Sequence, residues 1–273
     1  MGNGSACVDP PQRHTRGAAG SRANVGCWLG ATVSPLLRLL FPPVCSLCGE
    51  DLDPSLVEAC LCGRCRDALT ASEHVSCPRC ARPLPSGPAS VVATCPRCLR
   101  RPYRFRQATA VGVYSGLLRD AVLRVKRSHQ EPLTLALGRL LADRLRARPD
   151  WVDPDLVLPV PMHWTRRLLR GVNGPELLAE AVASELSLPS VTRLLSCRRR
   201  TKKQGTLLPA ARRRNVRGAY GVARRGRLAA KHVLLVDDVL TTGATLDELT
   251  RVLQRAGAES VSAAVLARGI GYD

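Results

Sequence analysis

Short apolar runs and amphipathic stripes alternate along the second half of the chain. Val233, Leu234, Leu235 and Val236 form a run too short and too uniformly apolar for a surface helix. It predicts a buried parallel strand that ends at the acidic pair Asp237 and Asp238. After a Thr/Gly turn, Leu246, Leu249, Val252 and Leu253 recur at helical spacing until Gly257 stops them. Residues 155–161 repeat the buried-strand pattern, and Leu177, Leu178, Ala181 and Val182 mark one face of a helix after it. Upstream, 107–114 alternates toward β structure, and Leu117, Leu118, Ala121, Val122 and Val125 make a helical stripe ending near Lys126. A further helix is predicted from Pro132, well placed at a first turn, through Leu145. Residues 260–267 predict a last strand. This alternation over 105–273 predicts a doubly wound, mainly parallel α/β domain with its site at the carboxyl ends of the strands.

The first hundred residues lack that rhythm. Residues 1–35, rich in Gly, Ala, Ser, Arg and Pro, read as a disordered basic tail. Leu36, Leu37, Leu39, Leu40 and Phe41 give a brief apolar turn that stops at Pro42 and Pro43. The region 36–104 then carries the pairs Cys45/Cys48, Cys62/Cys65, Cys77/Cys80 and Cys95/Cys98. Two thiolates at this spacing sit on one tight knuckle, and two knuckles complete a tetrahedral zinc site. One such pair could be a redox motif, but four in so short a stretch point to about two structural zinc ions. Sequential pairing would give two ribbons and interleaved pairing one entwined unit. Cys60 stands beside the second knuckle as a spectator or substitute ligand, and His74 reads as a solvated loop residue.

Composition sharpens the picture. Aromatics are only 3%, so Leu, Val and Ala must build the core of this 273-residue chain. The formal net charge of +19 predicts attraction to polyanions, although an Arg- and Ala-rich composition can also leave arginines merely solvated. From Arg193 to Lys231 there is no acidic residue. With Tyr220 as its one aromatic, that arm is a weak stacking platform for single strands. Twelve cysteines would suit a short secreted scaffold, but no convincing signal cleavage site appears and no apolar stretch is long enough to span a bilayer. A reducing, cytoplasmic setting is therefore expected. The chain lacks the P-loop signature and the Gly-x-Ser-x-Gly and His-Glu-x-x-His motifs.

The candidate chemistry lies where the strand meets its helix. Asp237 and Asp238 are acceptors suited to paired sugar hydroxyls or to a divalent cation held through water. Thr241, Thr242, Gly243, Ala244 and Thr245 combine hydroxyls, a close-approach glycine and a helix N-terminus, which together suit a phosphate. One loop would then hold a phosphate and a diol, as a ribose 5-phosphate presents. An Asp-Asp pair alone is common in ordinary βα turns; it is the whole pattern that separates this one. A second basic loop carries Arg166, Arg167 and Arg170 ahead of Gly171, Val172, Asn173 and Gly174.

The segment 233–245 resembles the phosphoribosyl diphosphate motif of type I phosphoribosyltransferases. With the cysteine pairs upstream, the chain resembles the ComF family, a zinc-finger and phosphoribosyltransferase group linked to competence and DNA uptake. The resemblance implies a type I phosphoribosyltransferase-like fold after the zinc module, and Mg²⁺ acting with phosphoribosyl diphosphate. It implies that Asp237 and Asp238 anchor the ribose and that Arg170, with Arg166, Gly171 and Asn173, grips the pyrophosphate. Thr201, Gln204, Arg213, Asn215 and Val216 match the family's pattern in a segment that acts as a mobile flap. Val172 stands where an aromatic is usual and Gly174 where glutamine is usual. Two functions follow from the resemblance: transfer of a phosphoribosyl group, or retention of phosphoribosyl diphosphate or a nucleotide by a non-catalytic adaptor. The adaptor would bind single-stranded DNA and work beside a DNA-uptake helicase.

Overall fold

The computed structural model describes residues 42–56, 59–71, 75–85, 94–126, 130–163, 174–201, 209–223 and 228–270. The expected tail over 1–35, the apolar turn at 36–41, His74, the basic loop from Arg166 to Asn173 and Gln204 lie outside them. The N-terminal module carries helices α1 (Gly63–Thr70) and α2 (Pro96–Arg100). There follow β1 (Ala108–Val113), α3 (Gly116–Arg124), α4 (Glu131–Arg146), β2 (Leu156–Pro159), α5 (Gly174–Glu185) and β3 (Leu195–Cys197). The chain continues through α6 (Pro209–Val216), β4 (Tyr220–Val222), β5 (His232–Leu240), α7 (Ala244–Arg255) and β6 (Ser260–Arg268).

The main sheet has the order β1-β6-β5-β2, and every pairing in it is parallel. Side chains alternate across a strand, so β5 serves both faces at once. Val233 and Leu235 pack with Leu158, Leu246, Leu249 and Leu253 on one face. Leu234 and Val236 pack with Leu137, Leu141, Leu178 and Val182 on the other. Burial on both sides is why the strand reads as a continuous apolar run. Helices α4 and α5 approach closely because Gly138 faces Ala181, where a Cβ would overlap the alanine methyl.

β5 does not stop at the acidic pair. It runs on to Leu240, paired with β6 alone once β2 has ended at Pro159. Asp237 and Asp238 therefore stand on a projecting strand, and the Thr/Gly turn begins at Thr241, five residues beyond the end of β2's ladder at Val236.

The cysteine-rich module is not an appendage. Cys45, Leu52, Leu61, Cys65 and Leu69 belong to the core on the α4 face. Cys77, Cys80, Ala81, Cys95 and Cys98 belong to the core on the α7 face. The two halves of the module thus straddle the sheet at its β1 edge, where the Ala108 N–H donates to the Pro78 carbonyl at 3.1 Å. The linker is packed as well. Tyr103 and Phe105 are buried and stacked at 4.6 Å, and the Arg104 N–H donates to Asp247 in the first turn of α7 at 2.7 Å.

The basic arm differs from a free flap. β3 and β4 pair antiparallel, and Leu194, Leu195, Val216, Ala219, Tyr220 and Leu228 sit in the core. The Gly218 N–H donates to Glu248 on α7 at 2.8 Å. Apolar residues spaced between the arginines anchor both ends of the arm, a signal that its charge density hides.

Candidate metal centres and phosphate site

The cysteines gather as two separate clusters, Cys45/Cys48/Cys62/Cys65 and Cys77/Cys80/Cys95/Cys98, each with its sulfurs within 4.8 Å of one another. Pairing is therefore sequential, and Cys60 belongs to neither cluster. Separations of 3.7 Å for Cys48 to Cys62 and 3.6 Å for Cys80 to Cys95 match a tetrahedron of sulfurs about 2.3 Å from a central zinc. The halves repeat one design. The Cys62 and Cys95 amides donate to the Cys45 and Cys77 sulfurs, and the fourth residue after the first cysteine, Gly49 or Ala81, has a left-handed backbone.

Crowding four thiols together makes their ionisation unequal. Hydrogen bonds from Cys80 and Cys98 hold Cys77 far below the ordinary thiol range, and Cys77 in return pushes Cys80 up to about 12 and Cys98 higher still. In the first cluster burial opposes ionisation of Cys45, yet the amides of Cys48, Cys62 and Leu47 bring it down to about 6. All four sulfurs of a cluster can be thiolates together only around a cation. An all-sulfur donor set with amide support fits Zn²⁺.

In the second candidate site, Gly243 caps α7 with φ 74°, and a Cβ there would overlap the Tyr103 ring. Glycine is needed both for the turn and for the ring beneath it. Thr241 and Thr245 are partly exposed, whereas Thr242 and Ala244 are buried. The Thr242 hydroxyl turns inward and accepts the Ala244 N–H at 3.5 Å, so outward donors at that position are backbone groups. Asp238 pairs with Lys126 at 3.0 Å, and Asp237 accepts the Asp238 N–H at 2.9 Å. Burial, and then the charge of Asp238, push Asp237 up to about 8.

The family model described as a phosphoribosyl transferase domain matches residues 173–272, and the one described as a double zinc ribbon domain matches 36–99. The DNA utilization protein YhgH of Escherichia coli is 30% identical over 238 residues, covering 84% of this chain and 99% of that protein. Competence protein F of Haemophilus influenzae is 28% identical over 220 residues, covering 76% and 96%. The chain belongs to the ComF family. Among solved structures, the allosteric regulatory enzyme of purine biosynthesis is similar over 48% of this chain and 25% of that one, with 25% identity and a TM-score of 0.33.

The ComF chain thus has a type I phosphoribosyltransferase-like α/β domain behind a double zinc ribbon with two four-cysteine clusters, which supports about two zinc ions. Arg166, Arg170, Gly171 and Asn173 lie outside the described residues, so no contact of theirs with the β5 site is described. Four residues in the site carried no functional expectation. Lys126, read as ending a packing helix, is the partner of Asp238. Arg97, Tyr103 and Arg268 hold the turn between β5 and α7 from beneath. An arginine closing the apolar run 260–268 was the one signal, since a cation 1% exposed at a strand end must be bound to something. Among the described residues, no helix is long and apolar enough to cross a membrane.

Proposed function

We propose that this protein binds the magnesium complex of phosphoribosyl diphosphate and transfers the phosphoribosyl group to a nitrogen acceptor. The observation that carries this reading is the β5–α7 turn. A projecting strand presents two carboxylates, and a left-handed glycine opens a helix N-terminus a few residues on. Asp237 and Asp238 would take the ribose hydroxyls. Thr241, Thr242, Gly243, Ala244 and Thr245 would surround the 5-phosphate with backbone amides and the Thr241 and Thr245 hydroxyls. Arg170, with Arg166, Gly171 and Asn173, is assigned to the pyrophosphate. Asp237 and Asp238 could also hold Mg²⁺ through water, and the ion would supply positive charge that neutralises the diphosphate.

The bond from the anomeric carbon to the pyrophosphate oxygen breaks, and its electron pair leaves with pyrophosphate. The acceptor nitrogen supplies the pair for the new bond and then loses its proton. Positive charge on the sugar develops beside Asp237 and Asp238, so their ionised form stabilises the transition state more than the ground state. Calorimetry with Mg²⁺-phosphoribosyl diphosphate tests the binding. The wild type should bind, and Asp237→Asn with Asp238→Asn should weaken binding by a few kcal/mol, since hydrogen bonds to charged groups contribute about 1.5–3 kcal/mol each. No binding to the wild type, or equal binding to the double variant, would sink the reading.

A second reading is favoured by Val172 and Gly174, and by relatives whose names concern competence and DNA utilization. In it the site retains phosphoribosyl diphosphate or a nucleotide while the protein serves as an adaptor for single-stranded DNA and a DNA-uptake helicase. Pyrophosphate release across a panel of bases and amines separates the two. Release with any acceptor supports transfer, and tight binding with none supports the adaptor.

A further inference from the structure

The phosphate turn rests on the second zinc ribbon. Three consecutive carbonyls of the turn are each held by a side chain from another part of the chain. Arg268 Nη1 donates to Leu240 O at 2.9 Å and to Thr241 O at 2.7 Å. Arg97 Nη2 and the Tyr103 hydroxyl both donate to Thr242 O, at 3.2 and 3.1 Å. In a trans peptide the N–H points opposite the C=O. Holding these carbonyls inward turns the amides of Thr241, Thr242 and Gly243 to the other side of the turn, where an anion would be bound.

The holding groups are built into the metal site. Arg97 stands between Cys95 and Cys98 on α2, a helix of five residues that is too short to persist alone. Both flanking cysteines must therefore be fixed for Arg97 to keep its place. Arg97 also lies over the Tyr103 ring at 5.7 Å. Arg268 Nε donates to the carbonyl of Cys80 at 2.9 Å, so one buried guanidinium joins a ligand knuckle to the turn. The first ribbon is tied elsewhere. Its knuckle carbonyls, Ser46 O and Leu47 O, accept from Arg124 at the end of α3, on the opposite face of the sheet.

We propose that Arg97, Tyr103 and Arg268 are positioning residues for the phosphate turn, and that the Cys77/Cys80/Cys95/Cys98 centre, rather than the first centre, sets the turn's anion-binding geometry. The ligand part of this inference rests on the phosphoribosyl reading above; the mechanical part does not. The test uses the full zinc-loaded chain and three variants, Arg97→Ala, Arg97→Lys and Arg124→Ala. Zinc content, ligand-free amide exchange over 240–246 and calorimetric affinity for Mg²⁺-phosphoribosyl diphosphate are measured on each.

Arg97→Ala should keep its zinc, speed exchange over 240–246 relative to β2, and lose about tenfold in affinity, the equivalent of one charge-assisted hydrogen bond. Arg97→Lys should recover part of both, and Arg124→Ala should leave exchange over 240–246 at the wild-type rate. Unchanged exchange and affinity in zinc-replete Arg97→Ala would overturn the proposal, as would equal loosening by Arg124→Ala. If Arg97→Ala loses zinc, Tyr103→Phe decides. It removes one donor to Thr242 O without touching a ligand knuckle, and wild-type exchange there would count against the proposal. Should the wild type bind no ligand, the phosphoribosyl reading fails by itself, and the exchange comparison still decides whether the ribbon holds the turn.

Discussion

Asp237 stands where its surroundings disfavour its charge. Its carboxyl sits beside a second carboxylate, half-buried, with Lys126 engaged by the neighbour. Its folded pKa is about 8, against an ordinary 3.8. Between those values the folded state binds more protons than the unfolded state, so the stability contributed by the protonated group is lost as pH rises through about 8. Asp237→Asn should therefore raise the melting temperature of the ligand-free protein. The gain over wild type should grow from about pH 4 to pH 8 and then level off. Each pKa unit corresponds to about 1.4 kcal/mol, so even a partly relaxed site should show at least about 1 kcal/mol, or about 2–4 °C. Thermal scans across that range check it; a pH-independent difference, or a lower melting temperature for the variant at pH 8, would show that the folded protein accommodates the ionised group. The residue types of this site were legible in the sequence, because Asp-Asp followed by Thr-Thr-Gly is local. Its ionisation was not, because it depends on β5 running past β2 and on Lys126, which is distant in the chain from its partner Asp238.

The basic arm shows the same division between what is local and what is long-range at the scale of an element. Its charge is plain from composition, and the charge suggests an open loop. The apolar residues that pin it come singly or in adjacent pairs, and α6 and β4 pack on α7, so no periodicity announces them. The consequence is that its arginines are not equivalent. Arg212 is only 2% exposed and belongs to the packing, whereas Arg198, Arg200, Arg214 and Arg217 face solvent. A phosphate backbone can reach the second group but not Arg212. If the arm binds single-stranded DNA, changing those four to Ala should weaken binding and flatten its salt dependence. The slope should fall by about 0.7 for each phosphate that is no longer neutralised. Arg212→Ala should instead lower the melting temperature while leaving that slope as it was. Measuring affinity against salt for both variants separates them; equal slopes in the four-Ala variant and wild type would remove those four arginines from DNA binding. The main-sheet strands were readable for the opposite reason. Burial on both faces imposes an uninterrupted apolar run that needs no knowledge of its partners.

At the scale of the whole molecule, the cysteine pattern identified a zinc module but could not show where it sits. Spacing constrains which sulfurs share a knuckle, while docking depends on faces made by residues far away in sequence. The two ribbons clasp the β1 edge from both sides, and their cysteines lie in the same cores as the sheet. Unfolding a ribbon therefore exposes the face of the sheet it covers, and the two parts should not melt independently. A structural zinc site contributes folding free energy on the order of 10 kcal/mol, comparable to the whole net stability of a typical protein, about 5–15 kcal/mol. Cys77→Ser removes a ligand that is wholly buried with Phe105 and Ala108 in the α7-face core. It should lower the yield of soluble full-length chain, not merely of its N-terminal part. In the wild type, zinc release and loss of sheet structure should occur in one transition when followed together by a chromogenic chelator and circular dichroism. Release of all bound zinc well before the sheet melts, or a Cys77→Ser protein with a wild-type melting temperature, would mean that the shared cores do not couple the ribbons to the sheet.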